Sequence, residues 1–444
     1  MSELPRINTT ENVLNVLSSP QGTGIACMLC TANWGPIDDV LTISNLSDYK
    51  KNYGTSVTGV TGYKGARAFF NNGGVLKVLR IAHTGYAKSL KLFKDSSVVD
   101  AITITAKYHG TYGDLLTVTI IANGSNVDVY LSDGVNTEVY YNLDTNTTVV
   151  AAINTGDFAT AVVETGTPDL VAPITTTYLT GGDNGTTSLE DADYITGFDT
   201  YLTDIAYRYL IIPGETENAF QITMAGKLDT RVTNEELYSR YLTGITLDES
   251  ITTIKARTLG GRRATLCAPS LILDDIDNDG SYLACALAGK LCQLGIGNAG
   301  TNKPVVAEVD TVYTKPQQSE LLDNSVTVIA LVNNELRCLK DMTRHSDLTS
   351  PYKLGVISDE IDYAREAYET YLRNQLGQPN TAINRVGISS NLDLISSTLI
   401  SDGIIESANQ STVVIGASAD TIGATISILP IYSIDYIDLT INIK

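Results

Sequence analysis

The sequence predicts an α/β core interrupted by an inserted antiparallel β-sandwich and followed by a C-terminal α+β domain. Three observations predict it. Between residues 25 and 81 an apolar strand, a short helix and a second apolar strand succeed one another, an order that calls for a parallel layer joined by crossovers. From Ala101 to about Leu179, Thr, Val, Ile and Tyr alternate with polar residues and strong helix formers are sparse. Past residue 188 strands again alternate with helical stretches, and the C-terminal region holds the clearest amphipathic helix of the chain.

Taken in order, Ile25 to Ala32 is a run of small and apolar residues ending in Asn33-Trp34-Gly35-Pro36, which reads as a buried strand entering a turn. Tyr63 to Phe70 reads as a helix stopped by Asn71-Asn72-Gly73-Gly74, and Val75 to Ile81 as the next strand. In the alternating region Val127, Val129 and Leu131 precede a turn at Asp133-Gly134, Val139 and Tyr141 follow it, and Asn123-Gly124 marks another turn. This is the pattern of antiparallel hairpins. Gly181 to Gly185 closes the insertion as a linker. Strands are then expected at Tyr209 to Pro213, Ala264 to Pro269, Pro304 to Val309 and Val326 to Val332.

The clear helix is expected to start with Ser358 as N-cap and with Asp359 and Glu360 at its positive end, its apolar face carrying Ile361, Ala364, Tyr368, Tyr371 and Leu376. Gly377 and Pro379 should stop it. A second helix runs through Leu392, Ile395 and Leu399 to Gly403. At the end, Ile437, Leu439, Ile441 and Ile443 alternate with polar residues, which reads as a strand with one apolar face. Its edge needs a partner, either its own sheet or a neighbouring copy that takes it by strand addition.

The 444 residues are enough for two to four domains of ordinary size. Thirty Lys and Arg against 50 Asp and Glu leave a net charge of -20, which repels nucleic acid and anionic lipid. Met1 to Asn15 shows no basic leader, and the apolar stretch Ser281 to Gly297 is short and broken by Lys290 and Gln293, so neither signal peptide nor membrane insertion is expected. Six scattered cysteines in apolar contexts read as buried, reduced thiols.

Motifs that suggest chemistry fail in context. Gly295 to Gly300 matches a dinucleotide fingerprint but follows a helix-like run where a strand is required. Asp275 to Gly280 opens like a calcium loop, yet position twelve is Ala286 in place of a bidentate Glu; an acidic turn capping the next helix is the simpler reading. Cys27 and Cys30 are three apart on a strand and so face opposite sides, while Cys285 and Cys292 share a helix face. The only histidines, His83, His109 and His345, sit in no nucleophile elbow or zinc helix. The basic residues Lys340, Arg344, Lys353, Arg365 and Arg373 stand out in an acidic chain; a solvated helix face with an Arg365 to Glu369 pair is the alternative to a docking role.

Three pieces then recur in a known order: the strand ending in Trp34-Gly35-Pro36, Leu41 to Gly54, and Ala68 to Ile81. With the turn His109 to Leu115, the strand end Leu210 to Gly214 and the Pro-containing segment Ile428 to Ile443, the layout resembles that of contractile-tail sheath proteins of phages and tailocins. The Pro-Gly-aliphatic-Tyr opening frequent in that family is missing. The resemblance implies a subtilisin-like core without protease machinery, and a homo-oligomer stacked as rings or a helical sheath around a tail tube protein, with baseplate and tail terminator proteins as further partners. It implies no catalytic residue, no metal and no cofactor, assembly in the bacterial cytoplasm and a place in the virion tail. Its division of the chain would be an N-terminal linking arm at 1–20, core segments at 21–95 and 188–332, the insertion at 96–187, a tube-facing domain at 333–430 and a linking strand at 431–444. Linkage would use Leu14 and Val16 at one end and Ile437, Leu439, Ile441 and Ile443 at the other, and Lys340, Arg344 and Lys353 would face the tube. The rivals are another self-assembling surface or adhesive protein, and a subtilisin-like hydrolase.

Overall fold

The computed structural model describes residues 24–166, 168–273 and 276–433. The chain first lays down β1 (Ile25–Cys30), β2 (Val40–Ile43), α1 (Leu46–Tyr53), α2 (Gly62–Phe70) and β3 (Val75–Arg80). A β-rich stretch follows: β4 (Leu90–Lys94), β5 (Asp100–Ala106), β6 (Thr117–Asn123), β7 (Asn126–Ser132), β8 (Thr137–Leu143), α3 (Asn146–Ile153), β9 (Ala159–Val163) and β10 (Ile174–Tyr178). Next come α4 (Asp191–Tyr201), β11 (Tyr209–Ile211), α5 (Asn218–Glu235), β12 (Arg240–Gly244), α6 (Ile251–Ala256) and β13 (Ala264–Ala268). The hairpin strands β14 (Leu271–Leu273) and β15 (Ile276–Asn278) lead to α7 (Gly280–Leu294), α8 (Lys315–Leu322), β16 (Val326–Val332) and β17 (Glu335–Cys338). Last are α9 (Gly355–Arg373), α10 (Ala382–Ser401), β18 (Ile405–Ala408), β19 (Thr412–Ile415), β20 (Ile422–Thr425) and β21 (Ile428–Pro430).

One eight-stranded sheet organises the core, in the order β17-β16-β13-β12-β11-β1-β3-β2. Its outer strands β2 and β17 are antiparallel to their neighbours, and all the strands between them are parallel. Such a sheet needs both faces covered. Period-2 alternation sorts β1 accordingly: Ala26, Met28 and Cys30 pack with α2 and α7 on one side, and Cys27 and Leu29 pack with α4 and α5 on the other. The two thiols of the Cys-x-x-Cys string therefore lie on opposite faces, as strand geometry requires. Helix α7 is held between α2 and the sheet, so it is apolar nearly all round, and Cys285 and Cys292 are both part of that core. Its start meets the end of β12 so closely that a Cβ on Gly244 would lie 1.8 Å from the Gly280 carbonyl carbon.

The β-rich stretch builds a four-stranded sheet, β10-β6-β7-β8, and a three-stranded sheet, β4-β5-β9, around a core of its own. Val127, Val129 and Leu131 point into it, and the hairpin turns place Gly124 and Gly134 at φ +67° and +87°, where a Cβ would be strained. Trp34, from the loop after β1, is buried in this second core with its ring edge-on to Tyr108, 5.2 Å between centroids.

Several expectations are corrected. Helix α9 begins at Gly355 with Leu354 at the cap, so Ser358 is not its N-cap; the Ser358 hydroxyl donates to the Arg262 carbonyl at 3.0 Å. Leu376 lies beyond the helix and is 79% exposed. Residues 304–309 make isolated bridges and no strand. The hairpin β16–β17 spans position 333, so residues 335–338 complete the core sheet.

Candidate functional site

Arginines mark the amino ends of three parallel strands: Arg208 precedes β11, Arg240 opens β12, and Arg262 and Arg263 precede β13. On α9, Asp359, Asp362 and Glu366 recur at i, i+3 and i+7 and so share one helix face. The helix crosses the amino edge of the sheet, and the two sets meet. Arg240 reaches Asp341 Oδ1 at 2.7 Å and Asp359 Oδ2 at 2.8 Å. Arg208 reaches Glu366 at 3.2 Å, and Asp362 accepts from Arg262 at 2.7 Å and Arg263 at 2.9 Å. The Tyr209 hydroxyl adds a donor to Asp359 at 3.0 Å.

Arg240 and Asp341 are each 1% exposed. Burial works against the Arg240 charge, but Asp341 and Asp359 overcome it and hold the guanidinium ionised. Burial pushes the Asp359 carboxyl up to about 6 against the pull of Arg240. Desolvation absorbs most of the attraction within such a pair, whereas stripping one partner costs about 3–5 kcal/mol. The seam therefore fixes where α9 sits more than it adds net stability.

The face of α9 beyond the seam carries the C-terminal unit. Ala364 and Tyr368 pack with Ile388, Leu392, Ile395 and Leu399 of α10, and the Tyr368 and Ser396 hydroxyls pair at 2.9 Å. Two antiparallel ribbons, β18–β21 and β19–β20, lean on α10. A two-stranded ribbon is marginal alone, and among the described residues each of these strands has one neighbour. Val414, Ile415 and Leu429 on them are exposed. The outward side of α10 is uncharged: Ile383, Val386, Ser390, Leu394 and Ser397 follow helical spacing and are all exposed.

Both ends of the described chain leave along this amino edge. The amide of Arg208 donates to the Ile25 carbonyl at the start of β1, at 2.8 Å. At the other end the Ile431 amide donates to Glu360 Oε2 on α9, at 3.1 Å. Glu360 is fully buried, its Oε1 has no hydrogen-bond partner, and burial pushes its carboxyl up to about 8.

Of the residues expected to act, Leu14, Val16, Ile437, Leu439, Ile441 and Ile443 lie outside the described residues. Arg344 is corrected: it is 9% exposed, and its guanidinium donates to the carbonyls of Leu259, Asn324 and Arg257 at 3.0, 2.6 and 2.9 Å, so it pins loops inside the body and cannot face a tube. Lys340 and Lys353 are half-buried near the start of α9. Arg365 pairs with Glu369 at 3.5 Å along the helix.

The chemical motifs resolve as structure. The glycine-rich string 295–300 follows α7, and Asp279 caps α7 by accepting from the Ser281 amide. His83 pairs with Asp193 at 3.0 Å, and His345 stands edge-on to Tyr352. Among the described residues no three His, Cys, Asp or Glu side chains converge to hold a metal, and no helix is long and apolar enough to cross a membrane. The arginine and acid seam escaped the sequence reading, although an Arg before each strand and acids at i, i+3 and i+7 were its visible signal.

No family model matches the chain, and no curated protein sequence is significantly similar to it. Solved structures are similar in fold. The sheath tail protein of Desulfitobacterium hafniense matches with a TM-score of 0.70 at 15% identity, over 96% of this chain and 100% of that one. The sheath tail protein Lin1278 of Listeria innocua gives 0.71 at 14% identity, over 93% of each chain. The helical sheath of the anti-feeding prophage in its contracted state gives 0.56 at 12% identity, over 100% of this chain and 99% of that one. Mixed α/β, with one large sheet and several small antiparallel ones, the chain has the fold of the contractile-tail sheath proteins.

Proposed function

We propose that this chain is a structural sheath subunit of a contractile injection apparatus, polymerising around a tail tube and contracting to drive it through a target envelope. The observation that carries the reading is the convergence of both ends of the described chain on one edge of the sheet, beside ribbons whose strands each have one neighbour among the described residues. The segments with Leu14 and Val16, and with Ile437, Leu439, Ile441 and Ile443, continue from those ends. Strand addition between copies uses main-chain hydrogen bonds, which hold while the bodies they connect reorient. Several such links per subunit keep the lattice together, because each keeps the effective concentration of the others high.

The parallel strands with helices on both faces support reading the core as the subtilisin-like sheath topology, without implying that protease's chemistry. In this reading the work comes from the free-energy difference between two packings of the subunits, and no cofactor is spent. The C-terminal unit faces the tube, with the uncharged side of α10 as the principal contact and Lys340 and Lys353 at its margin; baseplate and terminator proteins close the two ends. Negative-stain microscopy tests this: the full chain should form hollow ridged cylinders, and a chain lacking residues 436–444 should melt normally yet form none. Cylinders of normal length from the shortened chain would remove the strand-exchange part. A full chain that stays monomeric and ignores tail tubes would overturn the whole reading.

A further inference from the structure

At the carboxyl edge of the sheet, opposite the α9 seam, the chain leaving β12 and the chain leaving β13 diverge and enclose a cleft of about 540 Å³. Asp248, Ser250, Ser270, Asp310, Thr311 and Tyr313 are among the residues that line it, and no Lys or Arg does. The carboxyl edge is the side on which parallel α/β sheets hold ligands.

Two oxygens in the cleft lack partners. Ser270 is 1% exposed and its hydroxyl makes no hydrogen bond, and Asp310 Oδ1 is buried and unpaired. Leaving a buried hydroxyl and a buried carboxylate oxygen unsatisfied is costly, and the carboxylates accumulate charge against one another. Burial raises the Asp310 carboxyl against hydrogen bonds from the Thr311 amide and hydroxyl, and the neighbouring Asp248 and Asp277 raise it further. Glu249, the other acid of the lining, is already engaged by Arg257 at 2.8 Å and 2.5 Å.

We infer that this cleft binds a hydrated divalent cation of the Mg²⁺ or Ca²⁺ kind, held by the Asp310 and Asp248 carboxylates and the Ser270 hydroxyl. The donors are all hard oxygens, which selects these ions over softer metals. Because no three acidic, imidazole or thiol side chains converge among the described residues, the ion keeps most of its water, as Mg²⁺ does when one or two carboxylates hold it. The width of the cleft accommodates that water.

Calorimetric titration of the EDTA-stripped full chain with MgCl₂ and with CaCl₂, at constant ionic strength, tests the site. One saturable millimolar site per chain is expected, with a rise in melting temperature at saturation. Asp310→Asn and Asp248→Asn should each weaken binding at least tenfold, and Ser270→Ala about threefold. Without the ion, Asp310→Asn should melt close to the parent, since it removes a charge whose Oδ1 is buried without a partner and keeps a side-chain oxygen to accept from Thr311. If Asp310→Asn fails to fold, the exposed Asp248→Asn decides alone. No saturable binding by the parent chain, or unchanged binding by both aspartate variants, overturns the inference.

Discussion

Arg80 donates from Nη1 to the His109 carbonyl at 2.7 Å, so a guanidinium at the end of β3 grips the loop between β5 and β6 of the β-rich insertion. The same group reaches the Gly35 carbonyl at 2.8 Å and the Asn184 carbonyl at 3.3 Å, which binds the loop after β1 and the returning connection into one knot. Burial brings its pKa down to about 10, and the group remains charged at neutral pH. Hydrogen bonds from a charged donor contribute about 1.5–3 kcal/mol each. Arg80→Met, which keeps the apolar stem and removes the donors, should cost about 3–5 kcal/mol in urea denaturation. Limited proteolysis should then cut first in the connections near residues 82–90 and 180–185.

The seam under α9 is testable by a double-mutant cycle. Arg240→Met leaves Asp341 and Asp359 without their shared cation and should lose about 3–5 kcal/mol. Asp359→Asn alone should cost less, since Asp341 still holds Arg240 on two oxygens. The combined variant should recover part of the sum, a coupling of at least about 1 kcal/mol by urea denaturation. Strict additivity would show that the two side chains do not share an ion pair.

Glu360 makes stability depend on pH in an uncommon direction. Its carboxyl is raised to about 8 in the folded chain, above an unfolded value near 4.3, so between these limits the folded state holds a proton that the unfolded state has released. Stability from this group is therefore greatest below the lower limit and falls as pH rises, by up to about 1.4 kcal/mol per pH unit, levelling off above the upper one. Glu360→Gln should flatten that slope and raise the melting temperature at pH 8.5. Melting curves from pH 5 to 9 read both effects.

Arg344 and Lys353 separate folding from docking. A carboxylate in place of Arg344 would sit among the carbonyls of Leu259, Asn324 and Arg257, so Arg344→Glu should yield insoluble or unfolded chain. Lys353→Glu, at a half-buried position, should stay within about 1 kcal/mol of the parent. If Lys353 borders the tube contact, that folded variant should bind tail tubes more weakly in a co-sedimentation assay.

Much of the core was legible because its signals are local. Val326 to Val332 reads as a strand and is β16 with the same bounds, and the hairpin glycines lie at the turns where their dipeptides placed them. Helix α3 was not legible: Asn146–Ile153 is rich in Thr and Val, poor helix formers, and forms because Thr145 and Thr148 make a capping box while Val149 and Ile153 are buried in the insertion core. Strand β12 hid for a different reason. It opens with Arg240, which looks like a surface residue until Asp341 and Asp359, more than a hundred positions away, are brought beside it. For the same reason Asp359 and Glu360 looked like partners of an exposed helix end. A long-range charge pairing leaves no periodicity for a local reading to find.

Strand β1 sits inside the sheet, matched at six positions to β3 and at three to β11, with both neighbours parallel. A pull on the amino end of β1 along the strand axis would load that ladder in shear, so that bonds on both sides have to fail together. The hairpin β16–β17, pulled from its open end, would instead unzip rung by rung. Threading the pulled segment between two parallel neighbours gives a transmitted force its most resistant route into the body.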